Sequence, residues 1–152
     1  TGTVLRHFED ELAKVVALSF FIPLIIGTGG NAGSQTVSTI IRALALGQVR
    51  MRDAFRVFLR ESVIGLCLGA LLCVVAVLRS LFWGTGPSLA LVVGLTILAV
   101  CAWANIIGSL VPLVAQRFKI DPTVVSAPMI ATVVDATGLA IYMLIAKVVL
   151  KL

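Results

Sequence analysis

The chain has 152 residues, of which 60% are hydrophobic and only 12% charged, with a mean hydropathy of +1.14. A soluble domain of this length exposes far more charge, so composition points to a polytopic α-helical membrane protein. The net charge of +5 sits between apolar runs, where arginines set topology and meet anionic lipid head groups; it is no nucleic-acid signature.

Thr1–Lys14 carries Glu9, Asp10 and Glu11 beside Arg6 and Lys14. Residues 1–13 read as an amphipathic, interfacial lead-in without a signal-peptide core. The acidic trio would concentrate cations at an outer pore mouth, with a solvated polar face as the plainer alternative. His7, the only histidine, reads as a surface residue. Residues 14–152 are expected to form one transmembrane, ion-conducting domain.

Span one is expected from about Lys14 to Leu46. Its two apolar runs, Val15–Ile26 and Val37–Leu46, are each too short for the roughly 20 residues a crossing needs, but together they suffice. Between them lies Pro23-Leu-Ile-Ile-Gly27-Thr28-Gly29-Gly30-Asn31-Ala32-Gly33-Ser34-Gln35. Pro23 has no N–H for the carbonyl of Ser19, and four glycines disfavour helix, so this stretch predicts a helix break. Backbone groups freed there cannot face lipid, so the break would line a watery cavity or a buried site.

Gly47–Arg60 follows, with Arg50, Arg52, Arg56 and Arg60 against Asp53 and Glu61. As the densest positive cluster it is expected on the cytoplasmic side. Span two, about Phe55 to Leu81, carries Gly65 and Gly69 at a spacing that lets helices approach closely. Phe82-Trp83-Gly84-Thr85-Gly86-Pro87 reads as a tight external turn with an interfacial Trp. Span three runs from about Ser88 to Gln116 and includes Asn105, expected to hydrogen-bond a neighbouring helix. Arg117 and Lys119 return the chain to the cytoplasmic side. Asp121-Pro122 is expected to open span four, about Thr123 to Leu150. Four spans place both termini outside. Cys67, Cys73 and Cys101 all fall in apolar runs and read as buried free thiols.

Asp135 lies 13 residues after Pro122 and 12 before Lys147, about 20 Å of helix either way, which predicts a mid-membrane position. It is the one carboxylate read as deep. Holding it there costs about 2.5–3.5 kcal/mol on insertion scales, and no Lys, Arg or His stands one turn away to offset it. Ala131, Thr132, Gly138 and Leu139, with Pro128 and Tyr142 beyond, make its face small and mildly polar. A cation site is the expected use; a protonated Asp135 bonded to an amide such as Asn105 is the structural alternative. A cation that keeps its water shell needs few carboxylates and many neutral oxygens along its path. Asp135 with Ala131 and Thr132 is the expected metal site. Gly27, Gly30, Asn31, Ser34, Gln35, Thr36, Pro128 and Gly138 are the expected pore lining.

Pro23-xxx-Gly27-Thr28-Gly29-Gly30-Asn31-x-Gly33-x-Gln35 with Ile40-Ile41-Arg42-Ala43-Leu44-Ala45 resembles the second membrane helix of the MgtE family of magnesium channels and transporters. Arg56-Val57-Phe58-Leu59-Arg60-Glu61 is similar to the start of that family's third helix. The segment from Asp121-Pro122 through Pro128 and on to Ala131-Thr132-Val133-Val134-Asp135-Ala136-Thr137-Gly138-Leu139-Ala140-Ile141-Tyr142 is similar to its fifth. The resemblance implies a dimer of five-helix membrane domains with its pore lined by the second and fifth helices. It also implies Asp135 carboxylates of both chains facing a largely hydrated Mg²⁺, the transported ion. Further implied are a location in the cell membrane and, beyond this sequence, a first membrane helix and cytoplasmic regulatory domains (a helical domain and paired CBS modules). Ser34 and Ala127 stand where some relatives carry Asn.

Other classes fit less well. An intramembrane aspartyl protease needs two embedded Asp residues, whereas Asp53 and Asp121 lie in loops, and a serine type needs a His in the membrane. A purely structural subunit would show no ion flux. An ion-coupled secondary carrier of divalent cations is the closer rival, because broken helices are typical of such carriers.

Overall fold

The computed structural model describes residues 1–121 and 124–152, without the side chains of residues 11, 13 and 14. Four segments are long and apolar enough to cross a membrane: Val16–Ala45, Met51–Phe82, Pro87–Arg117 and Ala127–Leu150. Two short helices, α1 (Gly2–His7) and α2 (Glu9–Lys14), precede them. A 3-10 turn at Val16–Phe21 then leads into α3 (Ile22–Ala45). The others are α4 (Ala54–Phe82), α5 (Pro87–Arg117) and α6 (Ala127–Leu150), and no strand forms among the described residues.

Helix starts follow backbone chemistry. Pro23, Pro87 and Pro128 each sit in a first turn, where a missing N–H has no partner to lose. Helix α6 begins at Ala127, the expected start near Thr123 lying outside the described residues: Ser126 caps it, its Oγ accepting from the Met129 N–H at 3.4 Å. Pro122, the expected first-turn proline, lies outside the described residues. Helix ends are closed by reversals of one kind. After α3 the Gln48 N–H reaches the Ala43 carbonyl, after α4 Thr85 reaches Ser80, and after α5 Ile120 reaches Ala115. The residue that turns the chain is left-handed each time, Gly47 (φ 68), Gly84 (φ 70) and Lys119 (φ 58), which satisfies carbonyls the helix leaves open.

The expected break in span one does not occur. Residues from Gly27 to Gly33 are all within α3. The irregular part lies earlier, in the 3-10 turn, where the Ile22 N–H takes the Ser19 carbonyl. Glycine is a poor helix former by about 1 kcal/mol per residue, and close contact offsets this here. A Cβ on Gly29 would lie 2.6 Å from Val100, and one on Gly33 would lie 3.1 Å from Ile130. Helices in lipid associate through such contact rather than through a hydrophobic drive.

Helix α5 is the centre, with α3, α4 and α6 against it, and α3 also packs along α6. Leu18, Phe21 and Ile25 meet Val93, Ile97, Leu139 and Met143 near one end, and Val37, Ala104, Ile130 and Val134 fill the middle. Two side-chain bonds tie the bundle across. Tyr142 Oη donates to the Leu18 carbonyl at 2.9 Å, and Trp103 Nε1 donates to Thr137 Oγ1 at 2.8 Å. Trp83 lies in the α4–α5 turn, stacked under the Arg79 guanidinium at 4.5 Å. Helix α4 rests on α5 and turns its other side outward, with Leu71, Val74, Val75 and Leu78 exposed. Cys67 shares that outward side, so only Cys101 of the three thiols is fully buried.

Candidate functional site

Helices α3 and α6 meet where α3 has glycine and α6 has its carboxylate. A Cβ built on Gly30 would lie 2.7 Å from Asp135 Oδ1 and 3.6 Å from the Ala131 Cβ. The carboxylate is thus seated on the bare Cα of Gly30, a place no other residue type leaves open. Asp135 Oδ1 is buried and has no hydrogen-bond partner among the described residues. No hydrogen bond joins it to Asn105 among the described residues, and the Asn105 Oδ1 is itself unpartnered. Along α6, Asp135 stands about 12 Å from the first residue and about 22 Å from the last, nearer the Ala127 end than the count from Pro122 suggested.

Beside this seat runs a polar face on α3. Gly27, Asn31 and Gln35 stand exposed at four-residue intervals, with Ser38 and Thr39 beyond and Ser34 half-buried. A cleft of about 430 Å³ opens there between Gly27, Thr28, Asn31 and Gln35 on one wall and Leu68 and Leu72 of α4 on the other. A second, of about 530 Å³, is lined by Asn31, Ser34, Gln35, Ser38, Thr39 and Ala127. Ser34 Oγ donates to the Ala127 carbonyl at 3.2 Å, which fixes the start of α6 against α3. Ser38 and Thr39 turn their hydroxyls back to the carbonyls of Ser34 and Gln35. Asn31 and Gln35 are left as the free amides of this face.

Of the residues expected to line a pathway, Gly27, Gly30, Asn31, Ser34 and Gln35 belong to this face or its edge. Ala131 is half-buried, and Thr132 and Pro128 are exposed on α6. Two are not brought there. Thr36 is buried against Gly108 of α5, and Gly138 against Val100. The backbone carbonyls of Gly27–Gly30 are not freed either, since the helix uses them. At the lead-in, Glu9 and Asp10 are exposed, while the Glu11 side chain lies outside the described residues. Among the described residues no three His, Cys, Asp or Glu side chains gather into a metal cage.

Asp135 is not the only carboxylate inside the bundle. Glu61, within the expected span two but counted in sequence with the charges of the arginine-rich stretch, is in α4 and only 7% exposed. It has no hydrogen-bond or ion-pair partner among the described residues. One turn on, a Cβ at Gly65 would lie 3.1 Å from the Asn105 Cβ and 2.8 Å from the Ala102 Cα, which places Glu61 in the α4–α5 seam. The signal was present as Glu61-Gly65-Gly69, a carboxylate in line with two small residues at four-residue intervals.

The profile of MgtE, described as a divalent cation transporter, matches residues 22–145. The chain belongs to the MgtE family. It is similar to the magnesium transporter MgtE of Thermus thermophilus, 41% identical over 151 residues, covering 99% of this chain and 33% of that protein. The magnesium transporter MgtE of Bacillus subtilis is 32% identical over 142 residues, covering 93% of this chain and 32% of its own length. That of Enterococcus faecalis is 32% identical over 151 residues, with 99% and 33% covered. This MgtE chain thus spans about a third of the length of the curated relatives it matches. Membership fixes its class as a membrane protein of a transporter family, in keeping with its four long apolar helices.

Proposed function

We propose that this chain is the membrane domain of a divalent cation transporter that carries Mg²⁺ between two copies of itself. Residues 14–152 form the conducting part and residues 1–13 an interfacial lead-in, with Glu9, Asp10 and Glu11 at the outer mouth and the arginine-rich loop in the cytoplasm. The observation that carries the reading is the Asp135 carboxylate, seated on Gly30 with Oδ1 unpartnered at the edge of a polar helix face. Free amides such as Asn31 and Gln35 find no partner in lipid, so this face belongs against water or a second protein. A second copy placed there supplies the other Asp135, and the two carboxylates with Thr132, Ser34 and the amides face an ion that keeps most of its water. One carboxylate per chain, without a cage, favours a hydrated divalent ion over a stripped one. An ion-coupled carrier of divalent cations is the second reading, and the continuous α3 lends it less support than a broken helix would.

The test is a pair of substitutions read by Mg²⁺ flux into proteoliposomes. A unit-charge pair 5 Å apart at an effective dielectric of about 20 is worth roughly 3 kcal/mol. Asp135→Asn, which removes both charges at the axis, is expected to lower flux by two orders of magnitude or more with folding intact. Asp135→Glu is expected to retain part of it. Wild-type flux in Asp135→Asn would end this reading.

A further inference from the structure

At the end of the bundle opposite the Trp83 turn, the loops after α3 and after α5 line an open pocket of about 460 Å³. Arg50, Arg117 and Lys119 line it together with Leu44, Val49 and Met51. We propose that this pocket binds the phosphate of an anionic phospholipid, with an acyl chain along its apolar wall. Two helix C-termini meet here, each carrying about half a negative charge. The three full positive charges exceed that, and none of the three forms an ion pair among the described residues. The nearby Asp53 carboxylate is engaged with the Arg50 backbone N–H at 3.0 Å. The left-handed turns at Gly47 and Lys119 bring the cations together from segments distant in sequence. The surroundings match an amphiphile: Leu46, Phe55 and Phe118 are exposed at the same end, where the chain leaves the bilayer. A soluble phosphate would use the cations and leave the apolar wall bare.

Protein purified in mild detergent and stripped of lipid is titrated with phosphatidylglycerol, with phosphatidylcholine and with inorganic phosphate, reading the unfolding temperature. Phosphatidylglycerol is expected to raise it saturably, and the other two are not. Each basic residue at a membrane surface contributes about a fivefold gain in affinity for anionic lipid. R117Q and K119Q should each move the phosphatidylglycerol midpoint up by about that factor. The triple variant with R50Q should move it further, and K151Q at the other end of the bundle should leave it in place. If the triple variant does not fold, the two single variants decide. An unchanged midpoint in both, or an equal response to phosphatidylcholine, overturns the proposal. A shift reproduced by inorganic phosphate assigns the pocket to a soluble anion and overturns the lipid. Loss of the shift only when a cytoplasmic protein segment is present assigns that segment as occupant and likewise overturns the lipid.

Discussion

Two seams of this bundle bury a carboxylate beside a glycine, and they do so for different ends. In the α3–α6 seam, Gly30 faces a side chain, the Oδ1 of Asp135. In the α4–α5 seam, Gly65 and Gly69 face backbone: a Cβ would lie 2.8 Å from the Ala102 Cα in one case and 3.0 Å from the Leu98 Cα in the other. A glycine against backbone sets how near two helices come, and nothing there can yield. A glycine against a carboxylate leaves room for a charged group at the margin of a polar face. Asp135 is only half-buried, while Glu61 is almost wholly enclosed. The first seam is therefore suited to chemistry and the second to assembly.

Beyond the Asp135 substitutions, Gly30→Leu should give the largest effect in the first seam. The added side chain must displace the carboxylate, so Mg²⁺ flux is expected to fall at least tenfold, with the unfolding temperature within a few degrees of wild type. Unchanged flux at matched expression would make Gly30 a packing residue like the others. Gly65→Leu inverts the pattern. Its Cβ meets the Cα of Ala102 and the carbonyl of Cys101, and overpacking of this kind destabilises by about 1–3 kcal/mol. Unfolding midpoints should drop while flux per folded molecule holds; lost flux at full stability would erase the contrast between the seams.

Glu61→Gln sharpens the comparison, because it is chemically the same change as Asp135→Asn. An enclosed carboxylate offset, among the described residues, only by the adjacent Arg60 is expensive in a membrane, so its neutralisation is expected to leave stability unchanged or raise it by about 1–3 kcal/mol. Flux should stay within twofold. A flux loss matching that of Asp135→Asn would put a second carboxylate in the transport path. The smallest effect is expected from Tyr142→Phe, which removes the bond to the Leu18 carbonyl. Hydrogen bonds between membrane helices average about 0.6 kcal/mol, so a small fall in unfolding midpoint with normal flux is the anticipated result.

Much of this was legible in the residues. Apolar runs of spanning length and the Trp83–Pro87 turn follow from composition and spacing alone. The continuity of α3 did not, because glycine's helix penalty is local and visible in sequence. The contacts with Val100, Ile130 and Asp135 that offset it come from other helices. Glu61 was misread for a related reason. Four arginines before it made it one charge of a cluster at the start of span two, yet its own helical line runs through Gly65 and Gly69, and that line, not the composition of the stretch, decides burial. Thr36 and Gly138 are buried inside the bundle because α3 and α6 each pack on two neighbours, so a small or polar residue does not by itself mark the open face.

The unbroken α3 also bears on rate. From Gly27 to Gly33 each carbonyl is taken by the N–H four residues ahead, so none stands ready to replace a water on a passing ion. On the proposed reading, an ion crosses this stretch with its shell largely in place, and passage does not wait for ligand exchange at a metal that parts with water reluctantly. Turnover is then set by how often the two copies part widely enough to admit the hydrated ion, and metals of similar hydrated size but very different water-exchange lifetimes should cross at similar speeds.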